Sequence, residues 1–198
     1  SLEMEGNLGT VFRGTGAVEA TRGDGHKFHT GDSGVPKNVF FIPQTDKEYG
    51  CLGYTHPSHP NATLKSAGCG PASMAMLLSA FWGIEVDLYE LTEWSKAHGY
   101  RTNNGTDINF FDGFASDESN YNRIKVTRTG NKKLSFKYTT SQSDAISAIN
   151  NGGMAIVCCG PGSITKGGHY LLLSGYVDGG FIMQDPYEDH TYGDSAII

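Results

Sequence analysis

Four residues in this 198-residue chain have the side chains needed for attack on a carbonyl carbon by a thiol: Gln44, Cys69, His169 and Asp185. Cys69 lies where the most strongly predicted helix of the chain begins. The first amides of a helix are unpaired and its dipole is positive there, so a thiol at that position is favoured as the thiolate. The same amides can bind the oxyanion that forms during attack. A buried structural thiol is the alternative interpretation.

The other three residues could assist such a thiolate. His169 follows Gly168 and begins an apolar strand, which would hold it rigidly as a general base. Asp185 ends the next predicted strand and could orient the imidazole and stabilise its charged form. Gln44 precedes the thiol in sequence and could donate a second hydrogen bond to the oxyanion. Each also has a structural interpretation: a histidine packed at a strand end, a turn-forming aspartate before proline and a surface glutamine.

The helix that would present Cys69 is predicted over residues 69–83. Its apolar residues recur at i, i+3, i+4 and i+7, which is the spacing of a buried helical face: Met74, Leu77, Leu78 and Phe81. Pro71 suits the first turn, where its missing N–H is not needed. Gly83 is a typical residue at a helix end.

The remaining elements follow from capping residues and alternation. Helices are predicted at residues 88–98, with Asp87 and Glu90 as a capping box, at residues 107–115, capped by Thr106, and at residues 142–150, capped by Ser141. Short strands are predicted at residues 39–42, 124–126, 154–158, 169–177 and 181–184. Helices come first and strands later, so we expect the α+β class.

Composition narrows the domain organisation and the partners. Residues 1–37 are rich in glycine and predict an N-terminal arm or linker with one short strand at residues 10–13, whereas residues 38–198 predict one domain. The net charge of −6 argues against a nucleic-acid partner. No apolar run reaches the roughly 18 residues that a membrane helix needs. We expect a monomer. We also expect no signal peptide in this chain, because its first residues do not form a charged segment followed by an apolar one.

Several runs resemble segments of the bacteriocin-processing, double-glycine-type cysteine peptidases, which are family thirty-nine of the papain-like clan. Residues 66–78 resemble the nucleophile segment, and Ile42-Pro43-Gln44 resembles the oxyanion segment. Three later runs resemble the histidine and aspartate segments of the family: Gly160-Pro161-Gly162, Gly167-Gly168-His169-Tyr170 and Gln184-Asp185-Pro186-Tyr187. Residues 91–100 are similar to the stand-alone bacterial members. The resemblance covers about residues 39–187.

This resemblance implies a papain-like fold, in which a nucleophile helix packs against an antiparallel β-sheet. It also implies a thiol-dependent peptidase that works through an acyl-enzyme. Cys69 would be the nucleophile, His169 the base and later the acid, Asp185 the residue that orients His169, and Gln44 part of the oxyanion hole.

The resemblance also bears on substrate and location. The transporter-linked members cut leader peptides after Gly-Gly and carry an ATP-binding domain, but its GxxxxGK[ST] motif does not occur in this sequence. The substrate is therefore expected to be a peptide or protein, with no particular cleavage sequence. The stand-alone members indicate secretion or a place in the cell envelope of a Gram-positive bacterium.

Two other functions use the same residues. An amidase or transamidase could act on cell-wall peptides with the same thiol chemistry. A catalytically silent papain-like binding module would keep the shape alone. We expect no cofactor and no metal in any of these cases.

The remaining cysteines and one histidine pair allow further interpretations. His56 and His59 could bind a metal, but the proline between them and the lack of a nearby cysteine or carboxylate favour a surface or substrate-side loop. A disulfide between Cys51 and Cys69 would block the site, so we expect none. Cys158 and Cys159 are adjacent on a strand and are expected to face opposite sides, without a vicinal disulfide.

Overall fold

A computed structural model describes residues 9–13, 21–22, 41–82, 86–123, 134–159, 168–177, 180–187 and 196–197. The helices within these residues are α1 Leu64–Ala67, α2 Cys69–Trp82, α3 Leu88–Ala97, α4 Phe110–Ser116, α5 Glu118–Arg123 and α6 Gln142–Asn150. The strands are β1 Gly9–Arg13, β2 Thr21–Arg22, β3 Arg101–Thr102, β4 Gly105–Thr106, β5 Phe136–Thr139, β6 Met154–Cys159, β7 His169–Val177, β8 Gly180–Gln184 and β9 Ala196–Ile197. The expected α+β class is confirmed.

Helix α2 lies at the centre of the main hydrophobic core. Leu77 and Leu78 of the predicted apolar face are fully buried, and so is Met76 outside it. The helix is buried on several sides because β7 packs on one of them and α3 on another. Burial of apolar surface stabilises a fold by about 25 cal/mol per Å², so this packing holds the start of α2 firmly against the sheet. No helix in the described part of the chain is long and apolar enough to cross a bilayer.

The main sheet has seven strands in the order β2-β9-β8-β7-β6-β1-β5. The pairs β6–β7, β7–β8 and β8–β9 are antiparallel. In the β6–β7 pair, Cys159 lies opposite His169, and β8 runs back to end at Gln184. The first residue of β7 and the last residue of β8 therefore lie at the same end of these two neighbouring strands, and this brings His169 close to Asp185.

Alternate residues of β6 and β7 enter two different cores, as the two-residue period of a strand requires. Ile156 and Leu172 join the core around α2. Val157 and Leu171 join a second core with Ile149 of α6. The sheet is thus covered by α2 on one face and by α6 on the other.

The N-terminal segment contributes a strand to the interior of this sheet. Strand β1 lies between β5 and β6 and is parallel to both, with Val11 opposite Tyr138 and Ile156. The short strand expected at residues 10–13 falls within β1, and β2 pairs with β9. The rest of the glycine-rich segment lies outside the described residues. The resemblance implied an antiparallel sheet, and β6 to β9 form one; the two parallel pairings of β1 extend it on the side of β6.

The strand expected at residues 39–42 is wrong for its described part. Residues 41 and 42 belong to no strand, although Ile42 is buried in the core around α2. The next residues are held differently, because the Gln44 N–H donates to the Pro186 carbonyl oxygen at 2.8 Å. An apolar run can be buried by packing alone, without pairing to a strand. Residues 39–40 lie outside the described residues, as do the strand expected at 124–126 and Gly83.

The helix expected at residues 107–115 begins later, at Phe110. Thr106 does not cap it, because Thr106 pairs with Arg101 in the β3–β4 hairpin. Asp107 instead accepts the Asn109 N–H at 2.8 Å and forms a turn.

Asp87 and Ser141 cap α3 and α6 as predicted, but Glu90 does not complete a capping box with Asp87. The Asp87 side chain accepts a hydrogen bond from the Tyr89 amide. In a capping box it would accept from the Glu90 amide, which is one residue further along the helix. The Ser141 side chain accepts from the Asp144 amide.

Candidate active site

Cys69 is the first residue of α2 and is half-buried. Its Sγ accepts a hydrogen bond from the Tyr170 N–H at 3.5 Å, so the thiol lies against the second residue of β7. The β3–β4 hairpin also approaches the start of the helix closely. A Cβ on Gly70 would lie 2.9 Å from the Cβ of Thr106, and only glycine leaves room for this contact.

His169 and Asp185 form a buried pair beside the thiol. His169 Nε2 lies 2.7 Å from Asp185 Oδ1, and the two residues are 7% and 0% exposed. The same Oδ1 accepts the Tyr187 N–H at 2.8 Å, which fixes the carboxylate. Because Nε2 faces Asp185, Nδ1 is the ring nitrogen left for the hydrogen bond between His169 and the Cys69 side chain. The three side chains therefore form one hydrogen-bonded series.

The charges in this series stabilise one another. Burial by itself raises the pKa of the Cys69 thiol, but the His169 hydrogen bond and charge, together with the Tyr170 amide, bring it below its ordinary value. Burial by itself lowers the pKa of His169, whereas its bonds to Asp185 and Cys69 raise it to about 10. The pair is therefore favoured as thiolate and imidazolium near neutral pH.

Gln44 lies close to the start of α2 but is occupied by backbone groups. It is 2% exposed, and its Nε2 donates to the Leu64 oxygen at 3.2 Å and to the Lys65 oxygen at 2.8 Å. Its Oε1 has no hydrogen-bond partner within the described part of the chain. Both amide hydrogens thus have acceptors at α1. To reach an oxyanion beside Cys69, one of them would have to leave its carbonyl, and the longer Leu64 contact is the easier one to give up.

A cleft of about 410 Å³ opens beside Cys69. The turn of the β3–β4 hairpin forms one side, and the segment that precedes α2 forms another. Described residues that line it are His59, Ala62, Ser66, Ala67, Cys69, Arg101, Asn103, Asn104, Gly105 and Gly168. A peptide segment could lie in this cleft with one carbonyl over the thiol.

Sequence reasoning missed the hairpin and two residues that support it. Tyr54 is fully buried and its hydroxyl lies 2.7 Å from both Ser95 Oγ and Thr106 Oγ1. Arg101 Nε donates to the Tyr54 carbonyl oxygen at 2.8 Å. The sequence signal was Asn103-Asn104-Gly105, because asparagine is frequent in the two-residue turns of hairpins and Gly105 next to the turn has a positive φ of 123°.

The histidine pair lies in a tight turn. His56 and His59 exchange backbone hydrogen bonds, and His56 Nδ1 accepts the Ser58 N–H at 3.0 Å. In the part of the chain that the structure describes, no three potential metal ligands come together. His59 lines the cleft, as expected for a substrate-side loop.

Cys51 is exposed and is a free thiol, so it forms no disulfide with Cys69, as expected. The Gly160-Pro161-Gly162 motif and the Cys159 side chain lie outside the described residues.

Comparison with known proteins identifies the family of the chain. The model of the Peptidase_C39 like family matches residues 37–196, which include every residue of the hydrogen-bonded series. No curated protein and no solved structure matches the chain at a significant level. The matched region spans most of the chain, and the family has the papain-like fold that the mixed helices and sheet reproduce. The chain therefore belongs to the Peptidase_C39 like family.

Proposed function

We propose that this protein is a thiol-dependent peptidase that cleaves peptide bonds through an acyl-enzyme on Cys69. The observation that carries the proposal is the hydrogen-bonded series of Cys69, His169 and Asp185 beside an open cleft. A buried thiol with a purely structural role needs neither an imidazole nor a carboxylate. The lowered pKa of the thiol adds support, because the thiolate is the nucleophilic form.

In the first step, the Cys69 thiolate would form an S–C bond with the substrate carbonyl carbon, and the carbonyl electron pair would move to oxygen. The first amides of α2 have no acceptor within the helix. The Cys69 amide could therefore bind the oxyanion, together with Gln44 if its Nε2 turns from Leu64. The C–N bond would then break while the Nδ1 proton of His169 passes to the leaving amine.

In the second step, water would replace the amine. His169, now neutral, would accept a proton from the water molecule while the water oxygen forms a bond to the acyl carbon. The S–C bond would then break, and the thiolate and imidazolium would be restored. Asp185 would keep the imidazole oriented and stabilise its charge in both steps.

Substitution of the thiol tests the proposal. Cys69→Ala should abolish peptide cleavage and the fast reaction with iodoacetamide, whereas Cys51→Ala is a matched control that removes an exposed thiol and should keep both. Retention of full activity in Cys69→Ala would exclude this mechanism. Product masses separate the alternatives: chain cleavage with addition of water indicates a peptidase, and exchange of one amine for another indicates a transamidase. A thiol that reacts no faster than free cysteine at neutral pH would indicate a binding module.

Gln44 can be tested separately from the thiol. Loss of an oxyanion donor costs about 10²–10³-fold in kcat, so Gln44→Ala should slow cleavage by that factor while iodoacetamide still labels Cys69 rapidly. An unchanged kcat would show that Gln44 is not part of the oxyanion hole.

The secreted or envelope location stays a prediction, and cell fractionation would test it.

A further inference from the structure

Arg101 is a buried cation that no carboxylate pairs with in the described part of the chain. The residue is 7% exposed. Its Nε donates to the Tyr54 oxygen at 2.8 Å and its Nη1 to the Thr102 oxygen at 2.6 Å. Among the described residues, Nη2 has no acceptor and no carboxylate forms an ion pair with the guanidinium. Carbonyl oxygens satisfy hydrogen bonds but leave the positive charge uncompensated, which is costly in a buried position.

The same guanidinium lies beside the proposed nucleophile. Arg101 and Cys69 both line the cleft. The Cζ of Arg101 lies 4.9 Å from the centre of the Tyr54 ring, which holds the guanidinium plane from one side. Burial lowers the pKa of Arg101, while Tyr54 and Cys69 act in the opposite direction. A guanidinium nevertheless stays protonated at any ordinary pH, so this wall of the cleft carries a permanent positive charge.

Among the described residues that line the cleft, the Cys69 thiolate is the group of opposite charge, and that thiolate already has the His169 imidazolium as its partner. The lining contains no aspartate or glutamate among the described residues, and its other polar side chains include His59, Asn103 and Asn104. The whole chain, by contrast, has a net charge of −6. A permanent cation in the cleft of an acidic protein, with no carboxylate in the described lining, favours a ligand group of negative charge.

We propose that Arg101 binds a carboxylate of the substrate, so that acidic peptides are the preferred substrate class. This specificity rests on the proposed peptidase function, since it assumes that a peptide occupies the cleft. A planar guanidinium with a remaining N–H group matches the geometry of a carboxylate. The carboxylate can belong to an aspartate or glutamate side chain or to the free C-terminus of a peptide. The binding chemistry is the same in both cases.

Two sets of peptides distinguish these sources. The first set replaces glutamine by glutamate at one position at a time, and the second compares a free C-terminal carboxylate with an amide. A hydrogen bond to a charged group is worth about a 10- to 100-fold change in affinity. We expect kcat/KM to be higher by that factor for the acidic member of at least one pair, and the pair identifies the source. Equal kcat/KM for all pairs would overturn the proposal.

The cleft charge can also be probed without turnover. Iodoacetate carries a carboxylate and iodoacetamide does not, yet both alkylate the same thiol. In Arg101→Gln, the ratio of the iodoacetate rate to the iodoacetamide rate at Cys69 should fall about tenfold. Lys137→Gln removes one positive charge from an exposed side chain that does not line the cleft, and it should leave the ratio unchanged.

A second variant avoids disturbing the contacts that Arg101 makes with the backbone. Asn104 is exposed in the hairpin turn and lines the cleft, so Asn104→Asp adds a carboxylate without removing a buried contact. This variant should also lower the alkylation ratio and the preference for acidic peptides. An unchanged ratio in both Arg101→Gln and Asn104→Asp would refute the role of Arg101.

Failure of specificity and failure of the peptidase proposal have different signatures. If acidic peptides protect Cys69 from iodoacetamide in the unaltered chain but not in Arg101→Gln, and none is cleaved, then carboxylate binding stands and the peptidase proposal fails. If peptides are cleaved through Cys69 at rates that do not depend on their charge, the peptidase proposal stands and carboxylate binding fails.

Discussion

Substitution of Asp185 by asparagine should shift the alkaline limit of activity. Asp185 Oδ1 lies 2.7 Å from His169 Nε2, and both side chains are buried, so solvent screens the pair little. A hydrogen bond to a charged group contributes about 1.5–3 kcal/mol, and one pKa unit corresponds to about 1.4 kcal/mol. Loss of the carboxylate charge should therefore lower the pKa of His169 by about 1–2 units from its value of about 10.

The direction of the shift follows from the form that reacts. The thiolate–imidazolium pair exists above the pKa of the thiol and below that of the imidazole, so activity is lost on the acidic side as the thiol gains a proton and on the alkaline side as the imidazolium loses one. Asp185→Asn should move the alkaline limit toward neutral pH. The acid limit should move less, because the Asp185 charge itself raises the pKa of Cys69 while the imidazolium lowers it. The two effects on the thiol then partly cancel.

The measurement is kcat/KM of a cleaved peptide across pH, or the rate of Cys69 alkylation if no substrate is known. We expect kcat/KM on the alkaline side of the profile to fall about 10- to 100-fold in Asp185→Asn relative to the unaltered chain, and to fall less near neutral pH. Asp87→Asn is a matched control, because Asp87 caps α3 and asparagine caps helices about as well as aspartate. A folded Asp185→Asn protein with an unchanged alkaline limit would show that the carboxylate does not stabilise the imidazolium.

Three further predictions concern packing, each measured as the free energy of unfolding in urea. Gly70→Ala places a Cβ 2.9 Å from Thr106 and should destabilise the fold by about 1–3 kcal/mol, whereas Gly168→Ala meets no atom within 4 Å and should not. Leu77→Ala empties a fully buried position in α2 and should cost about 2–5 kcal/mol; a smaller loss would mean that the core collapses around the gap. Val11→Pro removes a backbone N–H donor from β1, which lies between two parallel neighbours. It should lower the free energy of unfolding by about 1–3 kcal/mol relative to Val11→Ala. Equal stabilities of the two variants would show that β1 is not held in the sheet.

The position of β1 changes how the N-terminal segment should be regarded. The family match begins at residue 37, yet β1 lies between β5 and β6 and pairs with both. The chain connects β5 to β6 through α6, and β1 occupies the position between them. Truncation before residue 37 would therefore remove an interior strand and expose the edges of two others.

Much of the scaffold around the thiol could be predicted from local sequence. The apolar spacing of Met74, Leu77, Leu78 and Phe81 predicted α2, and the apolar runs after Gly153 and Gly168 predicted β6 and β7. Such signals are local because side chains repeat every 3.6 residues in a helix and every two in a strand. The proximity of Cys69, His169 and Asp185 was expected only through the resemblance to a peptidase family, since spacing along a chain does not by itself bring distant residues together.

Other features were decided by contacts between distant parts of the chain. Thr106 has the residue type of a helix cap, yet it pairs with Arg101 and packs on Gly70 because the hairpin meets the start of α2. The parallel pairing of β1 with β5 and β6 joins segments far apart in sequence, and no local pattern specifies such a register. Arg101 is unremarkable as a letter in the sequence. Its place as a buried cation beside the thiol arises only because the folded chain removes it from water and supplies carbonyl oxygens, while no carboxylate in the described part of the chain pairs with it.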